Sequence, residues 1–92
     1  MGRYDDEVYK IIRENNDLNF SKDDIELGKN NLDAFKGIVE HKKGWQNSTT
    51  TAGQKYHNDA ANNIRQVYGG YNGGVDGLNG KYKAPSPTFD DY

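Results

Sequence analysis

Thr51-Ala52-Gly53-Gln54-Lys55-Tyr56-His57-Asn58-Asp59-Ala60-Ala61-Asn62-Asn63-Ile64-Arg65-Gln66-Val67-Tyr68-Gly69-Gly70 is the stretch from which the fold is read. Tyr56, Ala60, Ile64 and Val67 recur at helical spacing and form one apolar stripe, with Ala61 and Tyr68 beside it. Thr51 and Gln54 stand at capping-box spacing, in which the threonine oxygen accepts a backbone N–H and the glutamine side chain returns a bond. Gly69 and Gly70 end the helix, because glycine enters the left-handed conformation that helix C-termini favour. A helix over about 51–68 follows.

Two further helices are predicted upstream. Val8, Ile11 and Ile12 fit a short helix over about 6–15, with Asp5 and Asp6 favourably placed against its N-terminal dipole. Ser21 is a good N-cap for a helix over about 21–41, with Asp23 and Asp24 in its first turn. Ile25, Leu32, Phe35, Ile38 and Val39 form its core face, and Gly44 reads as the residue just past its end, before Trp45. The expected fold is all-α: a small three-helix domain over residues 1–80, including a glycine-rich loop at 69–80, then an extended tail at 81–92. Within the loop, Asn72-Gly73, Asp76-Gly77 and Asn79-Gly80 are turn signals compatible with either a hairpin or an irregular loop.

Composition limits what such a domain does. The chain has 92 residues, no cysteine and a mean hydropathy of −1.11, so its core is thin and folding within an assembly is a serious alternative to folding alone. Twelve basic against fourteen acidic residues give a net charge of −2, which supplies no field for specific nucleic-acid or anionic-membrane binding. The absence of cysteine removes disulfides and thiolate metal ligands. No apolar run reaches membrane-spanning length, and the polar start Met1-Gly2-Arg3-Tyr4-Asp5-Asp6 fits neither a signal peptide nor a myristoylation site. The expectation is a product made in the cytoplasm.

The search for catalytic and cofactor chemistry returns no constellation. His41 and His57 lack a second ligand at helical metal spacing and read as solvated helix residues. The glycine run follows a helix, whereas nucleotide-binding glycine loops follow a strand, and no Gly-Lys-Ser/Thr ending occurs. A calcium loop fails because Asp76 has no acidic companions at alternate positions. The expected protein is therefore not an enzyme and carries no cofactor or metal. The aromatic residues are more informative: Tyr68, Tyr71, Tyr82, Phe89 and Tyr92 concentrate in the C-terminal third. Tyrosines on glycine loops make good contact residues, so these rings, with Trp45, are the candidate partner-binding set, although Tyr68 and Tyr71 equally suit packing back over the last helix.

Gly44-Trp45-Gln46-Asn47, Asp59-Ala60-Ala61-Asn62-Asn63-Ile64-Arg65 and Tyr68-Gly69-Gly70-Tyr71-Asn72-Gly73-Gly74-Val75-Asp76-Gly77 together resemble a short module of minor structural proteins of phages that infect Gram-positive bacteria. The likeness spans residues 44–80, and similar segments occur in cell-wall-associated proteins. The resemblance implies a phage virion protein, made in the host cytoplasm, that packs or docks within a multicopy assembly against other virion proteins or copies of itself. With it go a role for Trp45, anchoring the loop against the last helix, and one for Arg65, paired with an acid such as Asp76 or one on a neighbour, beside the structural residues already read from the caps, Thr51 and Gln54 at the helix start and Gly69 and Gly70 at its end. The alternative is a peptidoglycan- or glycan-binding module of the bacterial cell wall, with Trp45 and Tyr71 stacking on sugar rings.

Overall fold

The computed structural model describes residues 3–73, which form helices α1 (Asp5–Glu14), α2 (Lys22–Asn30), α3 (Leu32–Asn47) and α4 (Thr51–Gly69), with no strand among the described residues. The expected all-helical class is present. The expected loop beyond Gly73 and the tail, with Asp76, Tyr82, Phe89 and Tyr92, lie outside the described residues.

Four helices stand where the sequence predicts three, because Asn31 divides the second. Asn31 has an extended backbone (φ −148°, ψ 91°) and serves both as the C-cap of α2 and as the N-cap of α3, where its Oδ1 accepts the Ala34 N–H at 3.1 Å. An asparagine that can satisfy a freed helix-start donor makes a corner inexpensive, whereas hydrophobic periodicity reads straight through it. The corner is packed tightly: a Cβ at Gly28 would fall 2.7 Å from Cγ of Phe35. Gly44, expected just past a helix end, instead lies inside α3, which continues through Trp45 to Asn47.

The start of α4 is also displaced from the expected capping box. Thr50, not Thr51, is the N-cap, and its Oγ1 accepts the Gly53 N–H at 2.9 Å. Thr51 is the first helical residue, and the buried Gln54 donates its Nε2 to Ser48 O at 3.5 Å, reaching into the preceding turn. At the other end the sequence expectation and the structure coincide: Gly70 is left-handed (φ 71°), and its N–H reaches the carbonyls of Arg65 and Gln66. The Tyr71 N–H also turns back to Arg65 O, at 3.4 Å.

Apolar packing falls into two clusters. Val8, Phe35 and Val39 centre the first, which draws in side chains from α1, the 15–21 connection and α2, with Phe20 and Phe35 ring centroids 5.4 Å apart. Leu27, Ala34 and Ile38 centre the second, against Ile64 and Tyr71. The inward face of α4 differs from the expected stripe by about one residue, roughly 100° of helix rotation. Gln54, Ala61 and Arg65 are buried, while Tyr56 and Val67 are 62% and 64% exposed. A buried arginine sets this rotation, and its partner explains why.

Candidate functional site

Asp24, in the first turn of α2, is completely buried and gathers donors from three other parts of the fold. Arg65 of α4, itself fully buried, grips both carboxylate oxygens, with Nε–Oδ1 at 2.8 Å and Nη2–Oδ2 at 2.9 Å. Tyr71 donates its hydroxyl to Oδ1 at 2.5 Å. Lys42 of α3 places Nζ 3.9 Å from Oδ2 and 5.4 Å from the Phe20 ring centroid. Fork-to-fork arginine–carboxylate bonding adds orientation to charge attraction, which is what a buried pair needs to offset its desolvation.

The network extends into the segment that leaves α4. Arg65 Nη1 donates to Asn62 Oδ1 at 2.8 Å, and the same oxygen accepts the Gly73 N–H at 3.1 Å. Residues 71–73 are thereby folded back along α4. Burial, followed by the bond to the Asp24 carboxylate, pushes the Tyr71 phenol well above its ordinary value of 10.0. Arg65 and Tyr71 donate to Asp24 from within the fold, and neither Asp24 nor Arg65 meets solvent, so among the described residues this cluster ties the helices together.

Beside the node the surface opens around Tyr68, whose side chain is 58% exposed. On one side lies a hollow of about 330 Å³ walled by Leu27, Gly69 and Tyr71 and bounded by Asp23 and Glu26. On the other lies one of about 430 Å³ with Ala34 and Ile64 in its lining and Asp33 at its edge. Tyr68 lines both, and among the described residues no lysine, arginine or histidine lines either.

A second polar contact joins α3 to α4. His41 and His57, expected in solvent, are half-buried with their Nδ1 atoms 3.0 Å apart, so one neutral ring donates to the other. Tyr56 stands edge-on to both rings. Burial, then the neighbouring His57, holds His41 below its usual value, with Glu40 opposing.

The candidate partner-binding residues thus separate. Tyr68 is exposed, Tyr71 is half-buried with its hydroxyl on Asp24, and Trp45 is half-buried on the last turn of α3. Among the described residues Arg65 takes Asp24 as its acid, and the expected partner Asp76 lies outside them. The sequence reading missed Asp24, Lys42 and Asn62 as a group, because Asp24 is separated from Arg65 by 41 positions and already had a sufficient explanation as a helix-start acid. No group of three or more potential metal ligands occurs among the described residues, and none of the helices is long and apolar enough to cross a membrane. No family model, curated protein or solved structure matches the chain.

Proposed function

We propose that the chain is a non-catalytic docking module whose working surface is the acid-edged groove on either side of Tyr68, and that its occupant is a protein segment presenting an apolar anchor flanked by lysine or arginine. The observation that carries the reading is the position of Tyr68, exposed between two hollows that Leu27, Ala34 and Ile64 line. Exposed aromatic anchors beside apolar pockets concentrate binding energy at protein interfaces. Asp23, Glu26 and Asp33, with no base among the described groove residues, favour a basic partner and repel an acidic one. The narrower form of the proposal comes from the resemblance of residues 44–80: the partner is another protein of a phage particle, or another copy of this one, and the module acts within the virion. The glycan-binding alternative is less well supported, since Tyr71, one of its two stacking rings, has its hydroxyl committed to Asp24.

Selection of a random peptide library on the immobilised full chain tests the reading. The expected binders carry lysine or arginine around a large apolar residue, and Tyr68→Ala weakens them by about tenfold or more, about 1.4 kcal/mol. Neutralising Glu26 and Asp33 together slows association and flattens its salt dependence. Binders without a basic excess, or binding that survives Tyr68→Ala, would refute the assignment.

A further inference from the structure

Resting on the groove assigned to Tyr68, we propose that its first occupant is this chain's own segment Lys81-Tyr82-Lys83, docked in cis with Tyr82 at the Leu27 hollow and the two lysines toward Asp23 and Glu26. Tyr82 is the one aromatic residue of the sequence with a lysine on each side. Lys81 and Lys83 also supply all the positive side-chain charge that follows Arg65, whereas the acids after Arg65, Asp76, Asp90 and Asp91, stand five or more positions from either lysine. The segment thus offers what the groove selects: an apolar anchor between two bases, for a hollow edged by two acids.

The covalent connection permits it. Tyr71 walls the hollow, and two residues later the Gly73 N–H bonds Asn62 Oδ1 at 3.1 Å. Asn62 stands six residues before Tyr68 on α4, about 9 Å along the helix. Lys81 follows Gly73 by eight residues, which span up to about 26–29 Å. The segment therefore reaches the hollow from the groove's own rim, with length to spare and without passing to another molecule. A tether this short holds Tyr82 near the groove at an effective concentration on the order of 1 mM, so weak docking is enough to fill it. The exposed Tyr68 ring gains an aromatic neighbour, and an outside partner binds only by displacing the segment.

Proton–nitrogen spectra of the full chain and of the variant Lys81→Glu/Tyr82→Ala/Lys83→Glu test the docking. The expected result is a change at the amides of Asp23, Glu26, Leu27 and Tyr68 that persists on dilution. A labelled synthetic peptide of residues 78–86 supplies a second readout: against a tethered competitor at about 1 mM, and with a free-peptide Kd of about 0.1 mM, the wild-type chain should bind it about tenfold more weakly than the variant. Adding Tyr68→Ala to the variant should weaken the peptide again. Spectral changes confined to the substituted positions and their neighbours, or equal peptide affinity in the two proteins, would overturn the proposal, and changes that vanish on dilution would overturn it in favour of docking on a second copy. If library-selected basic peptides still bind at Tyr68 in those cases, the groove keeps its role and only this occupant is wrong; if they do not, the groove reading fails as well.

Discussion

Replacing Asp24 with Asn removes one charge and leaves the shape of the node nearly intact, so it isolates what the carboxylate contributes. Asp24 and Arg65 are both 0% exposed and share two hydrogen bonds of 2.8 and 2.9 Å. An asparagine oxygen can accept from one arm of the guanidinium, but its amide presents donors to the other. The result is a buried arginine without a counter-charge, for which the expected destabilisation is about 3–5 kcal/mol. Domains of this size are stable by roughly 5–10 kcal/mol in all, so the loss is a large part of the total. With a urea dependence of about 1–1.5 kcal/mol per molar, the unfolding midpoint should fall by roughly 2–5 M at unchanged slope. Arg65→Met exposes the opposite deficit. The double variant Asp24→Asn/Arg65→Met should be less destabilised than the sum of the singles by about 2 kcal/mol or more, because it removes both charges. Urea denaturation followed by circular dichroism measures all four proteins. An Asp24→Asn cost under about 1 kcal/mol, with no coupling in the cycle, would refute the reasoning: Arg65 would then reach solvent when released, and the node would not fix the rotation of α4.

Three further outcomes follow from the geometry. Tyr71 keeps its proton in the fold where the unfolded chain has lost it, so its contribution to stability is complete below pH 10 and declines as pH rises above that value; a 295 nm titration to about pH 11 should show the same amplitude for wild type and Tyr71→Phe, and a smaller amplitude for the variant would contradict this. Gly28→Ala should destabilise by about 1–3 kcal/mol despite the better helix propensity of alanine, since the new methyl meets the Phe35 ring at 2.7 Å; a stabilised variant by thermal denaturation would count against the close approach of α2 and α3. Thr50→Ala should cost about 1 kcal/mol and Thr51→Ala under about 0.5 kcal/mol, and the reverse order in urea melts would restore the cap to Thr51.

The sequence discloses helices where periodicity and caps agree, as at Ser21, whose Oγ accepts the Asp24 N–H at 3.1 Å, and at Gly70 with its left-handed backbone. It hides the Asn31 corner because Ile25, Leu32, Phe35 and Ile38 keep a helical rhythm across it, and only a side chain able to cap distinguishes a bend from a continuation. The rotation of α4 was illegible for a different reason. Hydrophobic patterning assigns Tyr56 and Val67 inward and Arg65 outward, whereas the buried position of Arg65 depends on an acid 41 residues away. His41 and His57 are likewise 16 residues apart and meet only because α3 and α4 pack side by side. Tyr68 could be identified as a candidate contact from its place beside the glycines, but the acids facing it come from α2 and the start of α3.

Asp24 connects the strength of the fold to the shape of the groove. With nine residues, α2 is too short to hold its own conformation in water. Its orientation is set by what Asp24 binds, and the same helix carries Asp23, Glu26 and Leu27 to one wall of the hollow. Tyr71 forms another wall and ends on the same carboxylate. Both walls are therefore fixed before an occupant arrives, which lowers the ordering cost of binding. Tyr71→Phe distinguishes that role from simple stabilisation, because the ring stays to line the hollow while the bond to Asp24 is lost. Stability should fall by about 1.5–3 kcal/mol, as for other hydrogen bonds to charged groups. A basic peptide selected on the wild-type chain should also bind the folded variant several-fold more weakly, at a temperature well below its melting point. Reduced stability with unchanged affinity would mean that the wall stands without its tie, and that Asp24 serves the fold alone.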